Sequence, residues 1–353
     1  MMEIFINGAG VAGLALNKLI QKNSATHRAM IFEKNSQLST NGFGFVLMPN
    51  GYSALKKIVG ADIVRENLHP LKYYMNYNFE GKLQSKNTLT NCYGIYRNQL
   101  LNMLMEKEAS IKWNSSLEIS EQHEVTCNGQ AINADLVIGA DGINSPTRRK
   151  LFPNHQAKND RCHELVGFAK LPKFIAAQYD HQLTKFTHQQ GGLSFGLMSL
   201  GDQNFIWYMQ WDQQKYGEPA DQFASFFDDL TKDFRILDQF RLHLKFDHVH
   251  HCINKTITPL EQYHAEHILL MGDAAHPLPT FSSQGMNTAL EDAVLVHELI
   301  HAVPKAKIGQ RFYEIQGIKI KKILSESATL RSNFLYPAER MLMPLAHKKA
   351  SYV

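Results

Sequence analysis

The sequence predicts an α/β fold: an open, doubly wound parallel sheet, interrupted by a second, mostly antiparallel sheet of α+β character and completed by C-terminal helices. Three observations carry this. A β-rich run, Glu3–Asn7, leads through a glycine turn into a helical pattern and a second strand within about 30 residues, the length of a βαβ unit. Near-continuous apolar strands, of the kind buried on both faces, return at Ala134–Ile138 and Glu266–Met271. Between them, runs such as Gly192–Leu200 and Asn204–Trp211 alternate as half-buried antiparallel strands do.

Taken in order, Leu14, Leu16, Leu19 and Ile20 repeat at helical spacing after the glycine turn, and Ala29–Glu33 is the second strand. Asn41–Gly51 reads as a glycine-punctuated loop with a short strand, and Tyr52–Val59 as a helix stopped by Gly60. Arg97–Lys107 is helical, Ser110–Asn133 a meander, and Pro219–Leu230 a helical patch inside the second sheet. Helices are expected over Gln284–Ala302 and from Pro304 to about Asn333, before Pro337. The first domain is therefore discontinuous, spanning 1–70, 92–160 and 262–353, with 71–91 and 161–261 forming the second.

A chain of 353 residues makes about two domains the starting expectation. Its 44% apolar and 20% charged residues are ordinary globular usage, which excludes disordered and low-complexity classes. Lys+Arg outnumber Asp+Glu by only 37 to 33, and no five like charges run together, so no nucleic-acid or membrane-surface partner is indicated. A small molecule is the expected partner. Four cysteines without a CxxC pair favour a reducing compartment, with the cytoplasm the default. Neither a leader nor an apolar run long enough to span a membrane is expected, and oligomeric state is left open.

Three motifs bear chemistry. Gly8, Gly10 and Gly13, between strand and helix, permit a tight turn, close backbone approach to a pyrophosphate, and close helix packing in a Rossmann-like unit. Glu33 ends the next strand 20 residues after Gly13, where a carboxylate accepts from ribose hydroxyls. An acid there disfavours a 2′-phosphate, which leaves FAD or NAD, with a solvated strand-end acid as the bland alternative. The run from Asp135 to Leu151 brings Asp141 to the carboxyl end of the sheet, where open α/β folds bind ligands; capping the helix near Ser145 is the alternative role. In the third motif, from Gly272 through Asp273 and His276 to Asn287, a buried strand and a Gly/Pro/Ser-rich loop lead into a helix whose N-terminus stabilises negative charge.

In content and order these motifs resemble the group A FAD-dependent monooxygenases, the aromatic hydroxylases with the para-hydroxybenzoate hydroxylase fold. The resemblance covers GAGVAG with Glu33, the Arg of YRNQLLNML, GADGINSPTRRKL and GDAAHPLPTFSSQGMNTALEDA, nearly the whole chain. It implies an FAD-binding domain and a substrate domain. It implies that Gly8, Gly10, Ala12 and Gly13 face the FAD pyrophosphate, that Glu33 meets the adenosine ribose and that Arg97 reaches the pyrophosphate. Asp273 would hold the ribityl or phosphate portion, and the Gly285-Met286-Asn287 turn would lie against the pyrimidine edge of the ring. Asp141 and Arg148 belong to a motif linked to both FAD and NAD(P)H. No second nucleotide-binding triplet occurs, in keeping with NADH or NADPH as a transient reductant.

The implied reaction is hydroxylation of an aromatic or other electron-rich small molecule with NAD(P)H and O₂, through a C4a-hydroperoxyflavin. No catalytic side chain is singled out. The alternatives are a flavin-dependent halogenase or reductase, or an FAD-bound scaffold or cyclase without redox chemistry. Trp207 and Trp211 have the wrong spacing for the halogenase WxWxIP segment. The sequence also departs from the family, which usually has proline at Thr280, glycine at Ser283 and arginine at Asn41.

Competing signals are weaker. His297 to His301 matches HExxH, a zinc pattern, but His297 falls in the apolar stripe of Met286, Leu290, Ala293 and Ile300, so a packed histidine is expected. His248, His250 and Cys252 share one side of a strand without a partner pair at metal spacing, and no metal is expected. Phe205, Trp207, Met209 and Trp211 make one strand face aromatic; core packing is one reading, and a roof over the flavin with Trp207 against the substrate is the other. His276 is expected to position its loop.

Overall fold

A computed structural model describes residues 1–22, 27–39, 42–105, 111–219 and 222–337. Its first sheet runs, in spatial order, His264–Ala265, Ile268–Leu270, Leu136–Gly139, Met2–Asn7, His27–Phe32 and Ile111–Lys112. All neighbours are parallel except the first pair. Ile4, Ile6, Ile31 and Ile138 join the core formed with helices Val11–Lys22 and Gly285–Ala302. Phe5, Phe32, Val137 and Ile268 take the opposite face, where the meander Leu117–Ile119, Val125–Cys127 and Gln130–Ala131 covers them. Both faces leave water, which is why these sequence runs are continuous rather than alternating.

The second sheet has eight strands in the order His250–Thr256, Lys158–Lys170, Asn204–Asp212, Leu193–Ser199, Gln182–Thr187, His69–Asn78, Leu83–Tyr96 and Gly44–Leu47. Only Gln182–Thr187 with His69–Asn78 is parallel. Gly44–Leu47 and the end of Leu83–Tyr96, grouped by sequence with the first domain, pair within this sheet, Gly44 opposite Tyr96. Helix Gly285–Ala302 begins one residue later than expected, and the last helix runs Ile308–Leu335 after a 3₁₀ turn at Lys305–Lys307. No helix among the described residues is long and apolar enough to cross a membrane.

The two faces of the second sheet differ chemically. Leu165, Phe195, Leu197, Phe205, Trp207, Met209 and Trp211 form a core with Phe227 of helix Phe223–Thr231 and with Phe240. Trp207 is 0% exposed, packs on Phe227 and Phe246, and donates its indole N–H to the Phe168 carbonyl at 3.1 Å. The reading of Trp207 as a roof against substrate is thereby corrected: the aromatic alternation marks the side turned from the first sheet, and the interleaved Tyr208 and Gln210 belong to the other face. Gln210 reaches Thr280 of the third motif at 3.4 Å.

Removing a fully packed indole leaves a cavity, so Trp207→Ala is expected to cost about 3–5 kcal/mol in denaturant unfolding. A loss under about 1 kcal/mol contradicts the packing role.

Candidate functional site

The glycines of the first turn are required for different reasons. Gly8 has φ +114°, and a Cβ there would stand 2.5 Å from the Ala140 carbonyl oxygen. A Cβ on Gly13 would meet the Gly8 carbonyl oxygen at 2.1 Å, so the helix packs directly on the turn. A Cβ on Gly10 meets nothing within 4 Å. Among the described residues nothing crowds position 10, which leaves the helix N-terminus open to a ligand. Glu33 follows strand His27–Phe32 and orders the turn, one carboxylate oxygen accepting from Ala9 N–H at 2.8 Å and the other from Asn35 N–H at 3.0 Å.

The second and third turns meet the first. Asp141 follows strand Leu136–Gly139, and its Cα would lie 3.2 Å from a Gly8 Cβ. One Asp141 oxygen accepts from Thr147 N–H at 2.9 Å, helping Ser145 cap helix Pro146–Leu151; the other has no partner among the described residues. Both sequence readings of Asp141 are thus compatible with its geometry. Gly272, at φ +58°, brings the third turn against Ala12: a Cβ on Gly272 would be 3.1 Å from that of Ala12. The buried Arg148 guanidinium donates to the carbonyls of Asp273 and Ala274, both at 2.9 Å, and to that of Ile143.

Asp273 lies deep, and burial pushes its carboxylate up from the usual range against the pull of His276, Arg148 and Arg97. The residue nevertheless keeps substantial accessible surface, so it faces an internal cleft. Arg97 opens helix Arg97–Leu104 and passes over Gly42, where a Cβ would strike its Cδ at 2.5 Å; one guanidinium nitrogen, Nη1, has no partner among the described residues. Asn41 lies outside the described residues.

Sequence reasoning missed what holds this cleft in shape. His276 Nε2 and the Asp292 carboxylate are 2.7 Å apart and buried; the same Asp292 oxygen accepts from Gly272 N–H at 2.7 Å, and Gln316 donates to the other at 2.6 Å. Burial acts to lower the His276 pKa, but Asp292, by charge and hydrogen bond, together with Asp273 outweighs it and the pKa is raised. The positioning role expected for His276 fits this contact. Asn287 is also buried: its amide donates to the carbonyls of Val46 and Ser283 at 3.0 and 2.7 Å, and its oxygen accepts from Met48 N–H at 2.9 Å. Met286 packs into the core, and helix Gly285–Ala302 begins without a side-chain cap, so its first backbone N–H groups are not taken up by a capping side chain.

Across the cleft stands the polar face of the second sheet. Thr280, where the resemblance leads one to expect proline, takes its N–H and hydroxyl to Asn254 Oδ1, both at 3.0 Å, and reaches Glu164 at 3.4 Å. Ser283 has φ +53°, a left-handed conformation, which explains why glycine suits that place. The aromatic pattern drew attention to the wrong face; the useful signal was Tyr208 and Gln210 interrupting it.

Of the competing motifs, the His297–His301 pair lies on helix Gly285–Ala302, whereas Cys252 pairs in register with Glu164 and His250 with Val166, on the polar face of the second sheet. His297 is half-buried and its ring stands 4.9 Å from that of His301, which lies 4.8 Å from His27. His251, between His250 and Cys252, stacks on Trp211 at 5.3 Å. Among the described residues, the group with metal-ligand spacing is His69, Asp180 and His181, with ligand atoms within 4.8 Å of one another. Asp180 there bonds His69 at 2.9 Å and Ser199 at 2.7 Å.

Gly10→Ala is expected to leave the unfolding midpoint within the change of an exposed substitution, about 0.5 kcal/mol, while weakening dinucleotide affinity tenfold or more. Gly13→Ala, forced against backbone, should instead lower stability itself. Parallel melts and FAD titrations check the pair; equal effects of the two would contradict the assignment.

A conserved-domain model described as "FAD binding domain" matches residues 1–311. The chain is 25% identical over 313 residues to Monooxygenase 1 of Arabidopsis thaliana, covering 83% of this chain and 77% of that protein. It is 26% identical over 347 residues to the FAD-dependent monooxygenase prhF of Penicillium brasilianum, covering 86% of this chain and 70% of that one. The fold matches the crystal structure of CtdE in complex with FAD and a substrate at a TM-score of 0.84, with 19% identity, over 100% of this chain and 95% of the other. With three turns meeting around a helix N-terminus cleared by Gly10, and that match running through all of them, the chain belongs to the FAD binding domain family and is an FAD-dependent monooxygenase.

Proposed function

We propose that the chain hydroxylates a small aromatic or other electron-rich molecule in the cleft between the two sheets, with NADH or NADPH as electron donor and O₂ as oxygen source. The observation that carries this is the pairing of a dinucleotide cradle with a polar sheet face, joined through Thr280 to Glu164, Gln210 and Asn254. When bound and reduced, FAD supplies the activation of O₂ and the transfer of one oxygen atom, the other leaving as water.

In this reading Gly8, Gly10, Ala12 and Gly13 accept the pyrophosphate on the first helix, Glu33 binds the adenosine ribose, and Arg97 with Asp141 borders the phosphates. Asp273 binds the ribityl chain. The N–H groups of Gly285, Met286 and Asn287 face the pyrimidine edge, where a helix N-terminus favours the negative charge of the reduced ring. Segments 1–70, 92–160 and 262–353 serve as the cofactor domain, and 71–91 and 161–261 as the substrate domain. The four cysteines are free thiols, in keeping with a reducing, cytoplasmic setting.

The test is anaerobic reduction of the holoprotein by NADH or NADPH with candidate aromatics, followed by ¹⁸O₂. The expected result is bleaching of the flavin and one ¹⁸O atom in the product. Conversion of a ligand without bleaching, or without O₂, contradicts hydroxylation and favours a scaffold or cyclase role.

A further inference from the structure

On the cleft side of the second sheet, one register row runs Val166, Tyr208, Gly196, Lys185. Gly196 is bare because the Tyr208 ring lies across it: a Cβ there would stand 2.1 Å from Tyr208 Cζ and 2.4 Å from its hydroxyl oxygen. The phenol is therefore directed along the row toward the strand that carries Lys185. In the adjoining row, Glu164 and Ser194 flank Gln210. Gln210 links the two charges, accepting from Lys185 Nζ at 2.9 Å and donating to Glu164 at 2.7 Å.

Both side chains on the first row lie deep yet keep accessible surface. Burial raises the Tyr208 phenol well above its usual value and pushes the Lys185 ammonium down to about 8, while each residue remains only partly covered. They line an internal cleft, as Asp273 does. Lys185 has three N–H donors but makes one hydrogen bond among the described residues, to a neutral amide, with the Phe334 ring 5.7 Å away. The Tyr208 hydroxyl makes none among the described residues. Nearby, Asn254 is 4% exposed and its Nδ2 donor has no partner among the described residues, although its oxygen holds Thr280. Lys185, with donors unused among the described residues, and the Tyr208 hydroxyl therefore share one row of this sheet face, with Asn254 buried behind Thr280. Glu164 lies behind Gln210, its Oε2 engaged by Gln210 and Thr280; its charge favours the Lys185 ammonium and adds to the rise of the Tyr208 phenol, while burial pushes its own carboxyl up toward the neutral form.

We propose that Lys185 and Tyr208 anchor an anionic oxygen of the substrate, a carboxylate or an ionised phenol or enol on a flat ring. The proposal rests on the reading of this cleft as the substrate site of a flavin enzyme. A desolvated ammonium facing a small cleft gains most from a charged acceptor, and the flat Tyr208 ring beside the bare Gly196 backbone leaves room for a planar molecule.

The test uses holoprotein whose FAD content is measured first, so that failure to hold flavin counts against the flavin reading alone. Calorimetric titration with benzoate, benzamide and 4-nitrophenol then compares wild type with Lys185→Met, Lys185→Arg and Tyr208→Phe, each checked by its melting curve. Wild type should bind at least one of the two acids more tightly than the neutral amide. Lys185→Met should weaken the acid tenfold or more and benzamide less than twofold, Lys185→Arg should restore part of the loss, and Tyr208→Phe should weaken the acid severalfold. A preference for benzoate identifies the carboxylate, and one for 4-nitrophenol the ionised phenol. Equal affinity for acid and amide, equal losses in Lys185→Met, or no binding of either acid up to about 10 mM by flavin-bearing protein overturns the proposal.

Discussion

The closeness of three backbone turns governs the rest of this structure. Gly8 lies so near Ala140 that a single Cβ would collide with its carbonyl, Gly13 lies as near Gly8, and Gly272 abuts Ala12. The parallel order that sets Met2–Asn7 beside Leu136–Gly139, and Leu136–Gly139 beside Ile268–Leu270, delivers all three turns to the same strand-end edge. In the proposed binding mode a long dinucleotide would be held at this edge chiefly by backbone N–H groups and helix ends.

Charge around that edge is arranged by burial. Asp273 is placed where water is scarce but space remains, and Arg97, Arg148 and His276 offset the cost of keeping a carboxylate there. His276 in turn depends on Asp292, which also receives Gly272 N–H and Gln316. The last helix thus supports, through Gln316, a turn far away in sequence. Asn287 does the same for the second sheet by tying Val46 and Met48 to the start of helix Gly285–Ala302. Directional bonds of this kind, together with those of Thr280 with Asn254 and Gln210, tie the second sheet to the third turn and to helix Gly285–Ala302.

Much of this was legible in the sequence. Continuous apolar runs at Glu3–Asn7, Ala134–Ile138 and Glu266–Met271 announced a sheet covered on both faces, and the glycine spacing announced the first turn. The aromatic alternation of Phe205, Trp207, Met209 and Trp211 correctly marked a strand but could not say which face met the cofactor domain. Period-two patterning assigns residues to faces, not faces to neighbours; Trp207 fills a core, while Tyr208 and Gln210 face the cleft. The engagements of Asn287 and Asp292 were beyond reach for a different reason, since their partners lie far off in sequence and no local spacing reports them.

The most direct measurement is the flavin content of the purified chain, read as visible absorbance and as nucleotide released on denaturation. Three turns converging on one ligand predict about one equivalent of FAD per chain, or its stoichiometric uptake by the apoprotein. A colourless chain that leaves added FAD free in solution would contradict the account.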